Sequence, residues 1–383
     1  MNITHVVENL NRGGLERMVI ELVKLQQQQG HCCQVVCLFE PGALAHELIE
    51  LGTPVKACGK RRGLDLRAVA RMRRLLGEHT TEVLHTHNAV AHYHAVLASP
   101  GLKVRRVINT RHSMLGARRS ITEGDPGEGV TRVLDRRERI DRYAVTCTDL
   151  VVTVCEAARR DAIKLGVVAA DKVRAVPNGI RVEDFRPASN AKRERLLSML
   201  ELPARARVIG SVGRLTRLKD QAGLIRAFRL VHEAEPDAVL VFIGDGELRS
   251  ELQRSATADG VADSVHFLGD RSDVRELLQG LELFALSSLS EGYSMALLEA
   301  CASALPIVAT DVGGNGEIVR SDFTGLLVPP HDAAAMAAAL IALLQQPKRA
   351  RALGDAARAW VEAEGSLASM ASRYATLYGA VSA

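Results

Sequence analysis

Short apolar segments of strand length recur along this chain and alternate with segments whose apolar residues have helical spacing. The first of them, Ile3–Val7, leads into a loop with two adjacent glycines and then into a helical pattern that ends near Gly30. Strands that alternate with helices form parallel sheets with helices on both faces. The alternation occurs twice, on either side of a polar segment at 184–192. We therefore predict two parallel-sheet α/β domains in tandem.

The polar segment also sets the predicted domain boundaries. It contains Pro187 and Asn190, which are typical of connecting segments, and we interpret it as a linker. This assigns residues 1–186 to the first domain and 187–365 to the second. Within the first domain, residues 116–142 are rich in glycine and charge, and we expect a loop followed by a helix there.

Positive charge is concentrated in the first domain. The formal charge is +8 over residues 1–190 and −4 over the remainder. Between Lys56 and Arg74, eight basic residues accompany one acid, Asp65, and a second basic group lies at 103–119. Such a surface is either a solvated face or a binding surface for an anionic partner, namely a phospholipid headgroup or a diphosphate-linked acceptor. Only 3% of the residues are aromatic and none is interleaved with these arginines, so we expect no nucleic-acid binding.

The cysteines and the apolar segments predict a cytoplasmic protein. The seven cysteines are odd in number and form no Cys-x-x-Cys pair, which argues against a disulfide framework and a zinc site. The amino terminus has no basic-then-apolar signal pattern. The longest apolar run, 333–344, is shorter than the ~20 residues that span a bilayer. We expect a location in the cytoplasm, with peripheral contact to the inner face of the membrane through residues 56–74.

Two glutamates, Glu291 and Glu299, stand eight residues apart behind the apolar segment 283–286. We expect Glu291 in a strand-to-helix loop and Glu299 about two turns into the helix that follows. The free N–H groups at a helix N-terminus attract an anion, and carboxylates accept strong hydrogen bonds from sugar hydroxyls. This combination predicts a site for a phosphate whose attached groups carry hydroxyls. The N–H groups in question belong to the turn Gly292, Tyr293 and Ser294.

This pattern resembles the Glu-x7-Glu motif of the retaining glycosyltransferases of family 4. The resemblance spans nearly the whole chain and is strongest from 208 to 330. It implies the GT-B fold, in which two Rossmann-like domains face each other across a cleft, and a last helix, 366–383, that packs back on the first domain. It also implies that Glu291 holds the donor sugar and Glu299 the ribose. The expected donor is a UDP- or GDP-linked sugar, and no metal or other cofactor is expected.

Two basic residues follow the strand pattern at 208–213. Arg214 comes directly after it, and Lys219 lies five residues later, just before a helix. Ligands of parallel sheets bind beyond the carboxyl ends of the strands, where two cations can hold a diphosphate and stabilise the charge it gains on leaving. Both residues match the family's Gly-Arg-…-Lys element, which contacts the diphosphate of the donor.

Other residues gain a role through the resemblance. The pair Gly13 and Gly14 lets the backbone approach a ligand closely, although a plain tight turn is the alternative. His112 ends a strand where the family has a histidine near the transferred sugar. His85 and His87 resemble a second such strand end, which would face the donor or the acceptor. The remaining predicted donor contacts are Gly244, Asp270, Arg271, Gly292, Tyr293 and Ser294.

Two positions depart from the family pattern. Cys155 stands where serine is usual, and Gly316 stands where proline or alanine is usual. Neither change removes a charged contact, but a glycine at the second position is expected to loosen a loop near the donor.

The expected activity is a metal-independent, retaining transfer of a sugar to an acceptor hydroxyl, with a lipid-linked or polysaccharide precursor as acceptor. Two alternatives remain open on the sequence. One is a sugar-nucleotide epimerase; a phosphorylase would need a lysine-bound pyridoxal site, which nothing marks. The other is a non-catalytic GT-B subunit, although the retention of Arg214, Lys219, Glu291 and Glu299 argues against degeneration.

Overall fold

The computed structural model describes residues 1–11, 13–63, 65–114 and 136–379, with the backbone alone at 136–138. The loop predicted in the first part of 116–142 and the basic residues Arg118 and Arg119 lie outside the described residues. The helix predicted for the second part is present as Arg136–Thr146.

The described strands form two sheets in which every neighbouring pair is parallel, as predicted. The first sheet has the order β3-β2-β1-β4-β5-β6-β7 and the second the order β10-β9-β8-β11-β12-β13. The strands of the first sheet are β1 (Asn2–Val7), β2 (Cys32–Cys37), β3 (Val55–Ala57), β4 (Val83–His87), β5 (Arg106–Arg111), β6 (Leu150–Thr153) and β7 (Val173–Ala175). Those of the second are β8 (Arg207–Val212), β9 (Ala238–Ile243), β10 (Val265–Phe267), β11 (Leu283–Leu286), β12 (Ile307–Thr310) and β13 (Leu326–Val328).

Helices connect successive strands, as parallel pairing requires. In the amino-terminal half they are α1 (Gly14–Gln28), α2 (His46–Ile49), α3 (Leu66–Glu78), α4 (Asn88–Ala98), α5 (Arg136–Thr146) and α6 (Glu156–Lys164). They continue with α7 (Asn190–Met199), α8 (Gln221–Ala234), α9 (Arg249–Ala258), α10 (Val274–Leu278), α11 (Met295–Ala302), α12 (Asn315–Ile318), α13 (Ala333–Gln345), α14 (Pro347–Ala363) and α15 (Leu367–Gly379). None of these helices is long and apolar enough to cross a membrane.

The chain divides into two compact units. The first consists of Met1–Gly179 together with the C-terminal residues from Leu367, and the second of Ile180–Ser366. The first change of unit thus falls after Gly179, whereas the sequence suggested a boundary after residue 186.

The linker predicted at 184–192 is wrong in its last three residues, because α7 begins at Asn190. The Ser189 hydroxyl accepts a hydrogen bond from the Lys192 N–H at 3.4 Å and thereby caps this helix. Serine and asparagine favour helix N-termini as strongly as they favour loops, so the polar composition marked a helix start.

The first unit is built around the buried faces of β1, α1 and α15. Ile3 and Val7 of β1 pack in one core with Met18 and Leu22 of α1. The helix α15 buries Leu367, Met370, Ala371, Tyr374 and Tyr378 in that core. Full burial of a leucine or methionine side chain contributes ~1.5–3 kcal/mol. The last helix is therefore held in the first unit by its apolar face.

The second unit has a core of its own. Phe228 of α8 and Phe242 of β9 are fully buried in it, together with Leu340 of α13. The helices α8 and α13 thus cover the sheet, so that functional side chains can emerge only at strand ends.

Candidate active site

The loop after β8 carries the two predicted cations of the second unit. Residues 217–219 form a short 3-10 helix, and the Asp220 carboxylate caps α8 by accepting from the Gly223 N–H at 3.0 Å. Arg214 is exposed, and its guanidinium has no ion-pair partner in the described part of the chain. Lys219 is half-buried, with 25% of its side chain exposed. The two cations therefore differ, since one is free in solvent and the other is held.

Lys219 is held by Glu291. Its Nζ lies 2.5 Å from Oε1 of Glu291, and the Ser288 hydroxyl donates to the same oxygen at 2.6 Å. Glu291 is buried, with 9% of the residue exposed. Both donors use Oε1, and within the described part of the chain no residue donates to Oε2. The predicted sugar-binding carboxylate and the predicted phosphate-binding lysine are thus direct neighbours, and one carboxylate oxygen is left for a ligand.

The loop after β12 fixes the backbone of Glu291, a feature that sequence reasoning missed. Gly313 has φ +54°, and a Cβ there would lie 1.8 Å from the Glu291 carbonyl oxygen. The Gly314 N–H donates to the Gly292 carbonyl at 3.0 Å. The adjacent glycines directly after a strand were the available signal. At Gly316, by contrast, a Cβ would meet its nearest atom at 3.2 Å, and α12 forms with glycine in place.

The predicted position of Glu299 two turns into a helix is wrong. The helix α11 begins at Met295, so that Glu299 is its fifth residue and lies about one turn in. The reason is that Gly292, Tyr293 and Ser294 stay outside the helix, where the Ser294 hydroxyl caps the Leu297 N–H at 3.4 Å. The three turn residues are buried. The first N–H groups of α11 have no partner within the helix and carry its positive dipole end.

The loops after β8, β9 and β10 meet at one edge of the second sheet. Gly244 has φ +135°, and a Cβ there would lie 2.2 Å from the Gly213 carbonyl oxygen. Its N–H donates to the Gly269 carbonyl at 2.9 Å. The Leu215 N–H donates to the Asp245 carbonyl at 3.0 Å. The absence of a side chain at Gly244 therefore lets the loop after β9 lie directly against the loops after β8 and β10.

The predicted base-binding loop follows β10. Asp270 is exposed, and the Arg271 guanidinium pairs with the Asp273 carboxylate at 2.6 Å, which lowers the pKa of that carboxyl. Arg271 also lines a cavity of about 160 Å³ beside α7, together with Lys192 and Met199. The arginine is thus engaged with its own loop, and the backbone remains the part of this segment that can read a base.

In the first unit, the glycine pair lies at the start of α1. Gly13 has extended backbone and precedes the helix, and Gly14 is its first residue. A Cβ at Gly13 would lie 2.3 Å from Oε2 of Glu16, so the close approach here is made by a carboxylate of the first helical turn. A phosphate at this turn would meet that negative charge.

His112 follows β5 and is half-buried. The backbone N–H of His112 donates to Oδ1 of Asn88 at 3.1 Å. In its ring, Nε2 lies 3.0 Å from Nδ1 of His87. Burial lowers the pKa of His112 to about 3. His85 and His87 are enclosed within the unit, with at most 1% of either residue exposed. Together with His5 they have ring nitrogens within 4.8 Å of one another, a grouping that can in principle hold a metal ion.

The departure at Cys155 has a simple structural account. Its Sγ accepts a hydrogen bond from the Ala158 N–H at 3.3 Å and caps α6, which is the role that a serine hydroxyl has at such a position.

The structure therefore brings the predicted residues of the second unit to one edge of its sheet, at the carboxyl ends of the strands. These are Arg214, Lys219, Gly244, Asp270, Arg271, Glu291, Gly292, Tyr293, Ser294 and Glu299. Gly13, Gly14 and His112 follow β1 and β5 of the first sheet, also at carboxyl ends.

Two family models match this chain, one on each side of residue 190. Residues 12–184 match Glycosyltransferase Family 4, and residues 192–360 match Glycosyl transferases group 1. The chain belongs to the family 4 glycosyltransferases.

Several bacterial glycosyltransferases align with much of the chain. The UDP-Gal:alpha-D-GlcNAc-diphosphoundecaprenol alpha-1,3-galactosyltransferase of Escherichia coli is 28% identical over 70% of this chain and 67% of its own length. The D-inositol 3-phosphate glycosyltransferase of Corynebacterium jeikeium is 30% identical over 65% and 60%. A GDP-mannose-dependent monoacylated alpha-(1-6)-phosphatidylinositol monomannoside mannosyltransferase of Corynebacterium glutamicum is 35% identical over 52% and 54%. The matched segments thus span between 54% and 67% of these relatives.

Solved structures show the fold. Anabaena Alr3699/HepE in complex with UDP superposes with a TM-score of 0.84 over 98% of this chain and 99% of that one, at 20% identity. WaaG, a glycosyltransferase involved in lipopolysaccharide biosynthesis, gives a TM-score of 0.77 over 99% and 100%, at 18% identity. The predicted GT-B fold is confirmed.

Proposed function

We propose that this glycosyltransferase is retaining and metal-independent, and that it transfers a sugar from a UDP- or GDP-sugar to a hydroxyl of a lipid-linked or polysaccharide precursor. The observation that carries the proposal is the contact of Lys219 with Glu291, because it joins a diphosphate-binding cation to a sugar-binding carboxylate. Proposals for the individual residues follow from their surroundings.

The leaving diphosphate is the first element of the proposal. Arg214, Lys219 and the N-terminus of α11 supply positive charge in the loops that follow β8 and β11. Preorganised positive charge at a leaving group is worth several kcal/mol of barrier, typically ~3–4 kcal/mol per group removed. This charge takes the part that a metal ion has in other phosphate-leaving reactions, and we propose that no metal is needed.

Glu291 and Glu299 would bind the two sugars of the donor. With Oε1 of Glu291 occupied by Lys219 and Ser288, Oε2 is available to a hydroxyl of the transferred sugar. Glu299, one turn into α11, would accept from the ribose hydroxyls, while the backbone of 270–271 contacts the base. The reaction would pass through an oxocarbenium-like state, and the acceptor proton would go to the departing phosphate.

The nature of the donor is supported by the relatives. Among them are a UDP-galactose enzyme and a GDP-mannose enzyme, and the Anabaena structures contain UDP and UDP-glucose. We propose UDP- or GDP-linked sugars for this chain on that basis, and because residues 192–360 of its second unit match the Glycosyl transferases group 1 model.

The nature of the acceptor is supported by the surface before and along α3. Leu66 is 70% exposed and lies among exposed arginines, a combination that suits the headgroup region of an anionic membrane. The guanidinium groups of Arg71 and Arg73 instead donate to the carbonyls of Cys58 and Ala98, so these two arginines hold the fold. We propose a cytoplasmic protein that contacts the inner face of the membrane through residues 60–67.

The test is a thermal-shift screen of the purified protein with UDP-, GDP-, ADP- and dTDP-sugars in EDTA, followed by NMR of the product. A shift with one nucleotide class, lost in Glu299→Ala, and a product with the anomeric configuration of the donor are expected. A free epimerised sugar nucleotide would instead establish an epimerase. Donor binding without transfer to any offered lipid or saccharide acceptor would favour a non-catalytic subunit, and an absolute need for a divalent metal would refute the metal-free mechanism.

A further inference from the structure

Four side chains of the first unit form one hydrogen-bonded line that ends at His112. Oε1 of Gln26 lies 2.8 Å from Nε2 of His5, and Nδ1 of His5 lies 3.1 Å from Nε2 of His87. Nδ1 of His87 then lies 3.0 Å from Nε2 of His112. Gln26, His5 and His87 are each at most 2% exposed. We refer to these four residues as the histidine chain.

The strand pairing creates this line. In the parallel register of β1 with β4, His5 is the direct partner of His85, and His87 lies two residues further along β4. His87 in turn pairs with Thr110 of β5, two residues before His112. The line therefore runs across three adjacent strands toward their carboxyl ends, where ligands of a parallel sheet bind.

The end at Gln26 sets the direction of the hydrogen bonds. Nε2 of Gln26 donates to the Tyr378 hydroxyl at 3.0 Å, and the Cys33 thiol donates to Oε1 at 3.7 Å. Oε1 is the amide atom that faces His5 in the structure, and it can only accept. The proton of the neutral His5 ring is thus on Nε2, and its Nδ1 is an acceptor.

The tautomer of His5 determines the tautomers of His87 and His112. Since Nδ1 of His5 accepts, Nε2 of His87 carries the proton and Nδ1 of His87 accepts. Nε2 of His112 must then carry its proton, which leaves Nδ1 of His112 as a bare acceptor. All three rings are neutral at pH 7, because burial lowers the pKa of His5 to about 4 and of His112 to about 3, and lowers that of His87 far below its ordinary value.

The open end of the line is the observation that points to a ligand. Nδ1 of His112 is buried and has no hydrogen-bond partner among the described residues. A buried acceptor without a partner is unfavourable, and native proteins rarely retain one without use. A lone pair of this kind accepts from a hydroxyl, whereas an ionised diphosphate has no proton to donate to it.

We infer that Gln26, His5 and His87 are positioning residues that fix the tautomer of His112, so that its Nδ1 accepts a hydrogen bond from a hydroxyl of the sugar substrate. The inference rests on the proposed transferase function and adds to it the three residues that determine which ring nitrogen of His112 accepts a hydrogen bond. Nδ1 is covered in the structure, and the hydroxyl can reach it only if this atom becomes accessible on binding.

A second set of hydrogen bonds provides a matched control. Nδ1 of His85 lies 2.7 Å from the Tyr378 hydroxyl, and its Nε2 lies 2.7 Å from the Thr110 hydroxyl, which contacts the Tyr374 hydroxyl at 3.0 Å. Both nitrogens of His85 are thus satisfied, and within the described residues this branch meets the histidine chain only through the Tyr378 hydroxyl at Gln26, the end opposite His112. For the same reason a metal ion held by His5, His85 and His87 would have to displace existing partners, and we treat metal binding as an outcome of the test.

The experiment compares two substitutions at one position. His5→Gln keeps a donor toward Gln26 and an acceptor toward His87, whereas His5→Leu removes both. Long-range ¹H–¹⁵N spectra of the ¹⁵N-histidine-labelled full chain report the tautomer of each ring, and His112→Asn assigns the signals. We expect the Nε2–H form of His112 in the wild type, His5→Gln and the control Tyr374→Phe, and a mixed or reversed tautomer in His5→Leu.

Binding and turnover are then measured on the same samples. A sugar nucleotide should move the Nδ1 resonance of His112 in the wild type, whereas the bare nucleoside diphosphate should not. His5→Leu should lower kcat/KM at least tenfold while the affinity for the bare nucleoside diphosphate stays within twofold, and His5→Gln should recover most of the loss. Circular dichroism and thermal melting verify that all variants are folded.

Several results would overturn the inference. They are an unchanged His112 tautomer in His5→Leu, equal kcat/KM in His5→Leu and wild type, an Nδ1 shift with the bare diphosphate, and one equivalent of Zn²⁺ bound by the wild type but not by His5→Leu. An inactive wild type would count against the proposed function alone, since the tautomer and binding spectra would still decide the role of the chain.

Discussion

Lowering the pH from 7.5 to 5.5 should destabilise the first unit, because its buried histidines are neutral in the folded state. Five histidines of this unit are held neutral by burial: His5, His85, His87, His92 and His112. Burial lowers the pKa of His5 to about 4 and of His92 and His112 to about 3, against about 6.5 in an unfolded chain.

The sign follows from proton binding. Between pH 6.5 and about 4 the unfolded state binds these protons and the folded state does not, so stability falls as the pH falls through this window. At pH 5.5 each such histidine costs on the order of 1 kcal/mol relative to high pH, and the five together cost on the order of 5 kcal/mol. This is comparable to the whole stability of a typical domain, ~5–15 kcal/mol. Carboxyls with lowered pKa, such as Glu47, act only below about pH 4.5.

The assay is urea unfolding at pH 7.5, 6.5 and 5.5 with two probes. Trp360 is the one tryptophan of the sequence and lies in the second unit, so its fluorescence reports that unit, whereas far-UV circular dichroism reports both. We expect a transition seen by circular dichroism alone that moves to lower urea as the pH falls. His92→Gln should reduce this pH dependence by on the order of 1 kcal/mol between pH 7.5 and 5.5, whereas the substitution His46→Gln on the exposed surface is the control and should leave it unchanged.

Two results would refute the reasoning. One is a first transition with the same midpoint at pH 7.5 and 5.5, which would mean that the buried rings take up protons as readily as the unfolded chain. The other is an equal pH dependence in His92→Gln and His46→Gln.

Three further predictions concern the candidate site and the basic surface. Arg214→Ala and Lys219→Ala should each lower kcat at least 10²-fold without loss of thermal stability, and full activity in both would remove the proposed role in diphosphate departure. Gly313→Ala should cost more than ~1 kcal/mol and raise the donor KM, because its φ is positive and its Cβ would meet backbone, whereas Gly316→Ala should be nearly neutral; stability is measured by Trp360 fluorescence. Neutralising the exposed arginines of residues 60–67 should weaken binding to anionic vesicles, measured by co-sedimentation, by about 1 kcal/mol per charge and leave binding to neutral vesicles unaffected. Equal co-sedimentation of the variant and the wild type would mean that these arginines form a solvated face. The substitutions are Arg61→Ser, Arg62→Ser and Arg67→Ser, with Arg254→Ser as the control.

Much of the fold could be predicted because each strand and helix of a parallel α/β structure has a recognisable pattern in its own short stretch of sequence. Each strand is a short apolar run and each helix has a 3.6-residue pattern, so the two sheets follow from the order of elements. Arg214 directly follows a strand and Glu291 lies between a strand and a helix. These positions alone predict that both residues lie at the carboxyl edge of a sheet.

Local errors arose where one residue type serves two purposes. The polar residues near Ser189 are typical of a linker, yet Ser189 caps α7. The turn after Glu291 resembles the start of a helix, yet Ser294 caps α11 three residues later. Serine side chains stabilise turns and helix starts by the same hydrogen bond to a backbone N–H, so composition cannot separate the two.

What only the tertiary structure decided is which distant side chains touch. The contact of Lys219 with Glu291 joins residues 72 positions apart, and the clash that requires glycine at 313 involves the backbone of a different loop. The histidine chain joins α1, β1, β4 and the end of β5, and its direction depends on an amide held by Tyr378 from the last helix. The sequence by itself determined the elements and the edge of the sheet where chemistry occurs. The pairing register and the return of the last helix determined the contacts, because hydrogen bonds and protonation depend on distances of a few ångströms between residues that no local pattern relates.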